Sequence, residues 1–199
     1  MQRRFTGIAV ACLFALLLTG CSGGSDDPRA IVLNAAQEAR AAGAEANAEA
    51  MDDGELTEDE YRAAARRYQE CYREQGIVLP EPVLSPVDNV TLEWDFPDTA
   101  FSSGEETGEA LELCTQQWTP VSVAYGATHD HHTDPLLLAA ARECLKEQGF
   151  DTPEDAVRVA DIVGDPNTDS GRQSAAAEKC LIDEAFKLYP DLPAVTVQY

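Results

Sequence analysis

The chain has 199 residues, of which 36 are acidic and 14 are basic, so its formal net charge at pH 7 is −22. So few cations cannot displace the counterions of a phosphate backbone, which excludes nucleic acid as an expected partner, and anionic lipid headgroups would repel the chain as well. Hydrophobic residues make up 44% of the sequence, which is enough to predict a folded chain. Its negative field can attract basic or cationic partners, and the alternative is a solvated acidic surface that serves solubility.

The first 20 residues have the organisation of a secretory signal. Arg3 and Arg4 form a basic start, and an apolar run follows over residues 7–18. This run is shorter than the roughly 20 residues that a membrane-spanning helix needs. It therefore predicts a signal peptide over residues 1–20 that is removed from the mature protein.

The end of this signal, Leu18-Thr19-Gly20-Cys21, resembles the lipobox of bacterial lipoproteins. The resemblance implies that Cys21 carries a diacylglyceryl thioether, becomes the first residue of the mature protein and anchors it to the outer face of the cell membrane. The alternative is an ordinary cleaved signal with a chance cysteine beside the cut. Residues 21–28 are mostly small and polar after Cys21, which predicts a flexible tether.

Residues 29–56 are rich in alanine, but their large aliphatic side chains are concentrated at Ile31, Val32 and Leu33. Helix propensity is high in such a composition, whereas little apolar surface is available for packing. We expect a helix over residues 29–51 that packs weakly and serves as a stalk.

Two stretches of the sequence match one another. Residues 70–77 and 143–150 share Glu, Cys, Glu, Gln and Gly in register, and a fainter echo links residues 110–114 to 176–180. Each unit then contains a helix with a cysteine, a connection, and a second helix with a cysteine. Internal duplication explains this better than chance.

The first unit is expected over residues 57–126. Thr57 and Glu60 can form a capping box at the start of its first helix, and Gly76 suits the left-handed position that ends it. Alternating apolar residues over 90–96 predict a half-buried strand, for which residues 77–79 are the expected partner.

The second unit is expected over residues 127–199. Asp134 can cap its first helix, with Pro135 at the first helical position and Gly149 at the end. We predict a short helix over residues 152–163, a last helix over 170–188 and an edge strand over 195–199. The expected fold is mainly α with a small β contribution, as one domain built from two related helix-pair units.

Four cysteines remain once Cys12 leaves with the signal and Cys21 takes the lipid; they are Cys71, Cys114, Cys144 and Cys180. An even number in an exported chain is typical of two disulfides. Pairing within the units, Cys71 with Cys114 and Cys144 with Cys180, would join the two helices of each unit. The sequence leaves the two other pairings open.

The acidic lead-in at residues 53–57, the helix ending Cys71-x-x-x-x-Gly76 and the later paired cysteine are similar to uncharacterised secreted lipoproteins of actinobacteria. The resemblance implies an exported, anchored and disulfide-bonded protein. It implies no activity.

All the histidines of the chain lie in one short tract, which consists of His129, Asp130, His131 and His132, with Asp134 close behind. Imidazole and carboxylate groups at this spacing can bind Zn²⁺ or Cu²⁺. A stable site needs about four ligands and supporting groups, which a short tract rarely supplies. The tract therefore predicts either a solvated linker between the units or a divalent-metal site, and we expect no other cofactor.

The sequence contains neither a phosphate-binding glycine loop nor a His-Glu-x-x-His zinc helix, and it predicts no enzymatic activity. The leading hypothesis is a lipid-anchored, non-catalytic module that acts by binding or by its place in the cell envelope, with a protein partner that the sequence does not identify. The alternative hypothesis is extracytoplasmic binding of zinc or copper through the histidine tract.

Overall fold

The computed structural model describes residues 27–97, 105–164 and 171–197. The predicted signal peptide, Cys21 and most of the predicted tether lie outside these residues. The described chain is mainly helical with a small two-stranded sheet, which confirms the predicted fold class.

The elements follow one another as a series of helices interrupted by one hairpin-like pair of short strands. In chain order they are α1 (Pro28–Ala41), α2 (Glu45–Glu49), α3 (Glu58–Glu74), β1 (Val83–Leu84), β2 (Leu92–Glu93), α4 (Glu105–Thr128), α5 (Pro135–Glu147), a 3-10 helix (Val159–Asp161) and α6 (Gly171–Leu188).

The predicted ends of the two related helices are confirmed. Thr57 and Glu60 form the capping box of α3, each side chain accepting a hydrogen bond from the other's backbone N–H. Asp134 is the N-cap of α5. Gly76 and Gly149 follow α3 and α5 with φ of +82° and +86°, a conformation that a Cβ atom would strain.

A first core forms around α4, against which α1 and α3 pack. Its centre is a cluster of aromatic rings from α3 and α4. Tyr61 stacks on Tyr125 with ring centroids 3.9 Å apart and on Trp118 at 5.2 Å, and Tyr68 stacks on Trp118 at 5.5 Å. Rings of this size bury much apolar area, so they hold the two helices together.

The alanine-rich segment differs from the predicted stalk. It breaks into two helices at Gly43, which has φ of +75°, and α1 buries Val32, Ala35, Ala36 and Ala39 in the first core. Small side chains allow helix axes to approach closely. The alanine face of this helix therefore packs closely, although the small number of large apolar residues predicts weak packing.

A second core lies between α5, α6 and the 3-10 helix, and α5 packs directly on α6. Leu137, Leu145, Ile162 and Leu181 are fully buried there. The predicted last helix is confirmed, whereas the helix predicted over residues 152–163 is limited to the 3-10 helix. The carboxylate of Asp161 accepts hydrogen bonds from the N–H of Val157 and of Arg158 and so stabilises a tighter turn.

The sheet forms with a different partner from the one predicted. β2 pairs antiparallel with β1, with Leu92 opposite Leu84, and not with residues 77–79. The side chain of Gln69 donates hydrogen bonds to the carbonyls of Leu79 and Pro80, so α3 occupies acceptors that a strand would need. The edge strand predicted over residues 195–199 is absent from 195–197, and residues 198–199 lie outside the described chain.

A linking loop, residues 85–89, joins the two cores. Val87 is buried in the second core, and the carbonyls of Pro86, Val87 and Asp88 accept hydrogen bonds from the segment that precedes α5. The C-terminal segment makes a further connection, because the buried carboxylate of Glu93 accepts from the N–H and hydroxyl of Thr196. The two cores therefore belong to one connected body.

Both predicted disulfides are present. Cys71–Cys114 joins α3 to α4 with Cα atoms 5.7 Å apart, and Cys144–Cys180 joins α5 to α6 at 5.8 Å. Each bond thus lies within one pair of helices, as the duplicated sequence pattern indicates.

Candidate functional site

The structure places the histidine tract between α4 and α5 without assembling a metal centre. The ring of His129 stacks on Tyr125 at 3.7 Å, and its Nδ1 lies 3.0 Å from the Tyr125 carbonyl oxygen. Nε2 of His131 lies 2.7 Å from the carbonyl oxygen of Gly126. A ring nitrogen facing a carbonyl must carry the proton and donate it, so neither of these nitrogens is available to a metal.

The other members of the tract do not complete a metal site either. Asp130 and His132 are exposed, and Asp134 accepts hydrogen bonds from the N–H of Leu136 and of Leu137 at 2.8 and 3.2 Å. Over the residues that the structure describes, no group of three or more His, Cys, Asp or Glu side chains is placed to hold a metal ion. The five predicted ligands are therefore not brought together.

Asp134 instead stabilises the start of α5. Burial alone would raise the pKa of its carboxyl, but hydrogen bonds from the Tyr189 hydroxyl and from the N–H of Leu137 and Leu136 lower the pKa below its usual value. Burial, together with the hydrogen bond to Asp134, raises the pKa of Tyr189 to about 12. The ionised carboxylate is thus the form that the fold prefers.

We expect Asp134→Ala to lower the free energy of unfolding by about 1 kcal/mol at pH 7, because α5 loses its N-cap. Since folding lowers the pKa of Asp134, its ionised form stabilises the fold above the unfolded pKa of about 4, and this contribution is lost as the pH falls through the folded value. Urea unfolding at pH 7 and at about pH 2.5 should show the difference shrinking in acid. Asp134→Asn, which keeps a capping oxygen, is the control. An equal loss at both pH values would contradict the electrostatic part of this explanation.

A cavity of about 310 Å³ lies where α2, α3 and α4 meet. Its walls carry apolar and aromatic side chains together with a few polar ones. The lining residues are Gly43, Ala44, Glu45, Ala46, Asn47, Ala64, Arg67, Tyr68, Cys114, Gln117 and Trp118. A concave, largely apolar site with few polar groups is typical of small-molecule binding.

The polar side chains of this cavity hold one another in position. Asn47, only 4% exposed, donates from Nδ2 to the Gln117 carbonyl at 2.9 Å, and its Oδ1 accepts from Nε of Arg67 at 2.6 Å. Nε2 of Gln117 donates to the carbonyl of Ala42 at 3.4 Å. The guanidinium of Arg67 is therefore oriented by α2 and α4 as well as by its own helix.

Arg67 lacks a charge partner in the described parts of the chain. Its Nη2 is buried and has no hydrogen-bond acceptor among the side chains that the structure describes, and none of those side chains forms an ion pair with Arg67. Burial lowers the pKa of Arg67, and the charge of Arg66 lowers it further. A half-buried guanidinium without a carboxylate is unexpected in a chain of charge −22, because a buried donor without an acceptor is destabilising.

Trp118 also lines a second cavity, of about 410 Å³, together with Tyr61, Trp94 and His131. Nε1 of Trp94 is buried and has no acceptor within the described residues. Among the described residues that line this second cavity, no Lys, Arg, Asp or Glu is present, so the cavity beside Arg67 is the better candidate.

Sequence reasoning missed both Asn47 and Arg67. Each carried a weak signal, since Asn47 is an amide flanked by alanines and Arg67 directly precedes Tyr68 on the predicted buried face of α3. Neither signal identifies a site from the sequence. Asn47 lies in α2 and Arg67 in α3, so their contact depends on how these two helices are placed in the fold.

Within the described ranges, no helix is both long enough and apolar enough to cross a membrane. Comparison of the chain with protein-family models, with curated proteins and with solved structures gives no significant match.

Proposed function

We propose that the protein is exported, is anchored through a lipid on Cys21 to the outer face of the cell membrane, and acts there by binding a ligand and not by catalysis. The basic and apolar start of the chain and the residues Leu18-Thr19-Gly20-Cys21 support the anchor. The two disulfides support export, because such bonds persist in oxidising compartments.

The observation that carries the binding part of the proposal is the guanidinium of Arg67 in its cavity. No carboxylate among the side chains that the structure describes forms an ion pair with it, and Asn47 holds the guanidinium in one orientation through Nε. An anionic ligand would supply the opposite charge that those side chains do not. Such a ligand would also contact Ala46, an exposed residue of the cavity wall, so a bulky side chain at this position should obstruct it whatever its charge.

The anchor is tested by Cys21→Ser in the full chain, expressed in a bacterium that exports and lipidates proteins and supplied with alkyne-labelled palmitate. We expect the parent to carry the label and to partition into the detergent phase, and the variant to lose both properties, since serine cannot form the thioether. Cys12→Ser is the matched control, because this cysteine would leave with the signal peptide. Label that persists in Cys21→Ser, or an unlabelled parent, would exclude the proposed anchor.

A further inference from the structure

We infer that the Arg67 cavity binds a small monocarboxylate carried on a flat, apolar body. This inference rests on the proposed binding function and specifies its ligand class. It follows from the cavity's donor, from the charge around it and from the shape of its walls.

The donor set points to an anion. Asn47 already uses both Oδ1 and Nδ2 within the protein, so it has little to offer a ligand. The guanidinium of Arg67 uses only Nε, for a bond to Asn47, within the described residues. Because Nη2 is buried, Nη1 is the guanidinium donor left for a ligand, and a charge-assisted hydrogen bond from it to a carboxylate oxygen is among the stronger hydrogen bonds.

The surrounding charge favours a single negative charge on the ligand. Among the described residues that line the cavity, Arg67 is the only cation, and Glu45, exposed at its wall, opposes it. The chain as a whole carries a charge of −22, and such a field repels multiply charged anions more strongly than monoanions. A carboxylate is therefore favoured over a phosphate dianion.

The walls favour a flat, apolar body for the remainder of the ligand. Tyr68 and Trp118 are buried aromatic residues of the cavity, and Ala44 and Ala64 add small apolar surfaces. Aromatic rings attract other flat groups by offset or edge contacts. The volume of about 310 Å³ lies at the lower end of the range for ligand pockets, which limits the ligand to a small molecule.

The probe for this site is phenylacetate, compared with its neutral analogue phenylacetamide and with inorganic phosphate. Binding to the purified full chain is measured by titration calorimetry and by tryptophan fluorescence, since Trp118 lines the cavity. We expect phenylacetate to bind at least about tenfold more tightly than the amide, and Arg67→Gln to remove most of this preference. Arg66→Gln is the matched control, because it removes the same charge from the exposed neighbouring residue and should leave binding unchanged.

The outcomes separate the ligand class from the proposed function. Equal binding of acid and amide, with both weakened by Ala46→Phe, would overturn the carboxylate and leave binding at the cavity intact. Phosphate competing as well as phenylacetate, or an equal effect of Arg66→Gln, would also overturn the carboxylate class. If no probe binds, or if Ala46→Phe changes nothing, both proposals fail. Should Arg67→Gln not fold, as judged by circular dichroism, the parent's preference for acid over amide decides the question.

Discussion

The double variant Cys144→Ala/Cys180→Ala should lose about 2–4 kcal/mol of unfolding free energy. The disulfide joins α5 to α6 across a sequence separation of 36 residues, and in the chain-entropy model a loop of this length contributes just under 4 kcal/mol. The second core that it joins is the smaller of the two, so it has less buried apolar area to offset the loss. Urea unfolding followed by far-ultraviolet circular dichroism measures the change.

The matched control is the double variant Cys71→Ala/Cys114→Ala. The separation of these cysteines is 43 residues, and because loop entropy depends on the logarithm of length, the expected entropic loss is nearly the same. The first core should nevertheless retain its aromatic cluster. A second-unit variant as stable as the parent would show that packing of α5 on α6, and not the disulfide, determines the stability of this half.

The features that could be predicted from the sequence are those that local chemistry determines. The repeated Glu-Cys-x-x-Glu-Gln-Gly pattern places Cys71 and Cys144 at equivalent positions, five residues before glycines that end helices. A capping residue and a terminal glycine act within a few positions of each other. The sequence could therefore predict the helix ends, and it favoured pairing of the cysteines within each unit.

Features that depend on distant contacts were not predictable in this way. The stalk was predicted from side-chain size alone. In the structure, α1 packs on α4, which lies far along the chain, and buries Ala35, Ala36 and Ala39. Similarly, α4 continues through Pro120, a residue that usually ends a helix, while Val121 and Ala124 beyond it are buried in the first core. Tertiary packing outweighs local preference at both places.

The candidate site belongs to this second group. The cavity needs the turn at Gly43 to bring α2 against α3 and α4, and only then does Asn47 contact Arg67, 20 positions along the chain.

The histidine tract is the opposite case, a site that the sequence predicts and the fold does not assemble. Its spacing predicts metal ligands, but the described residues bring no three such side chains together, and neighbouring carbonyls orient one ring nitrogen each of His129 and His131.

Replacement of Asp88 by alanine should destabilise the protein by about 2–4 kcal/mol and uncouple its two cores. The side chain is 5% exposed; its Oδ1 accepts from the N–H of Val90 and of Thr91, each at 2.9 Å, and its Oδ2 accepts from the Thr91 hydroxyl. Alanine leaves these donors without an acceptor, and each buried unsatisfied group costs about 1–3 kcal/mol before the loop relaxes.

The control for this prediction is Asp88→Asn, whose amide oxygen can still accept from both backbone N–H groups and which should lose less than half as much stability. Amide hydrogen exchange distinguishes local from global damage. The N–H groups of His132 and Asp134 donate to carbonyls of the linking loop, so their protection should fall in Asp88→Ala even under conditions where α5 stays folded. Unchanged protection at these two amides would mean that the cores are held together without this loop, and the connection between Glu93 and Thr196 would then have to hold them.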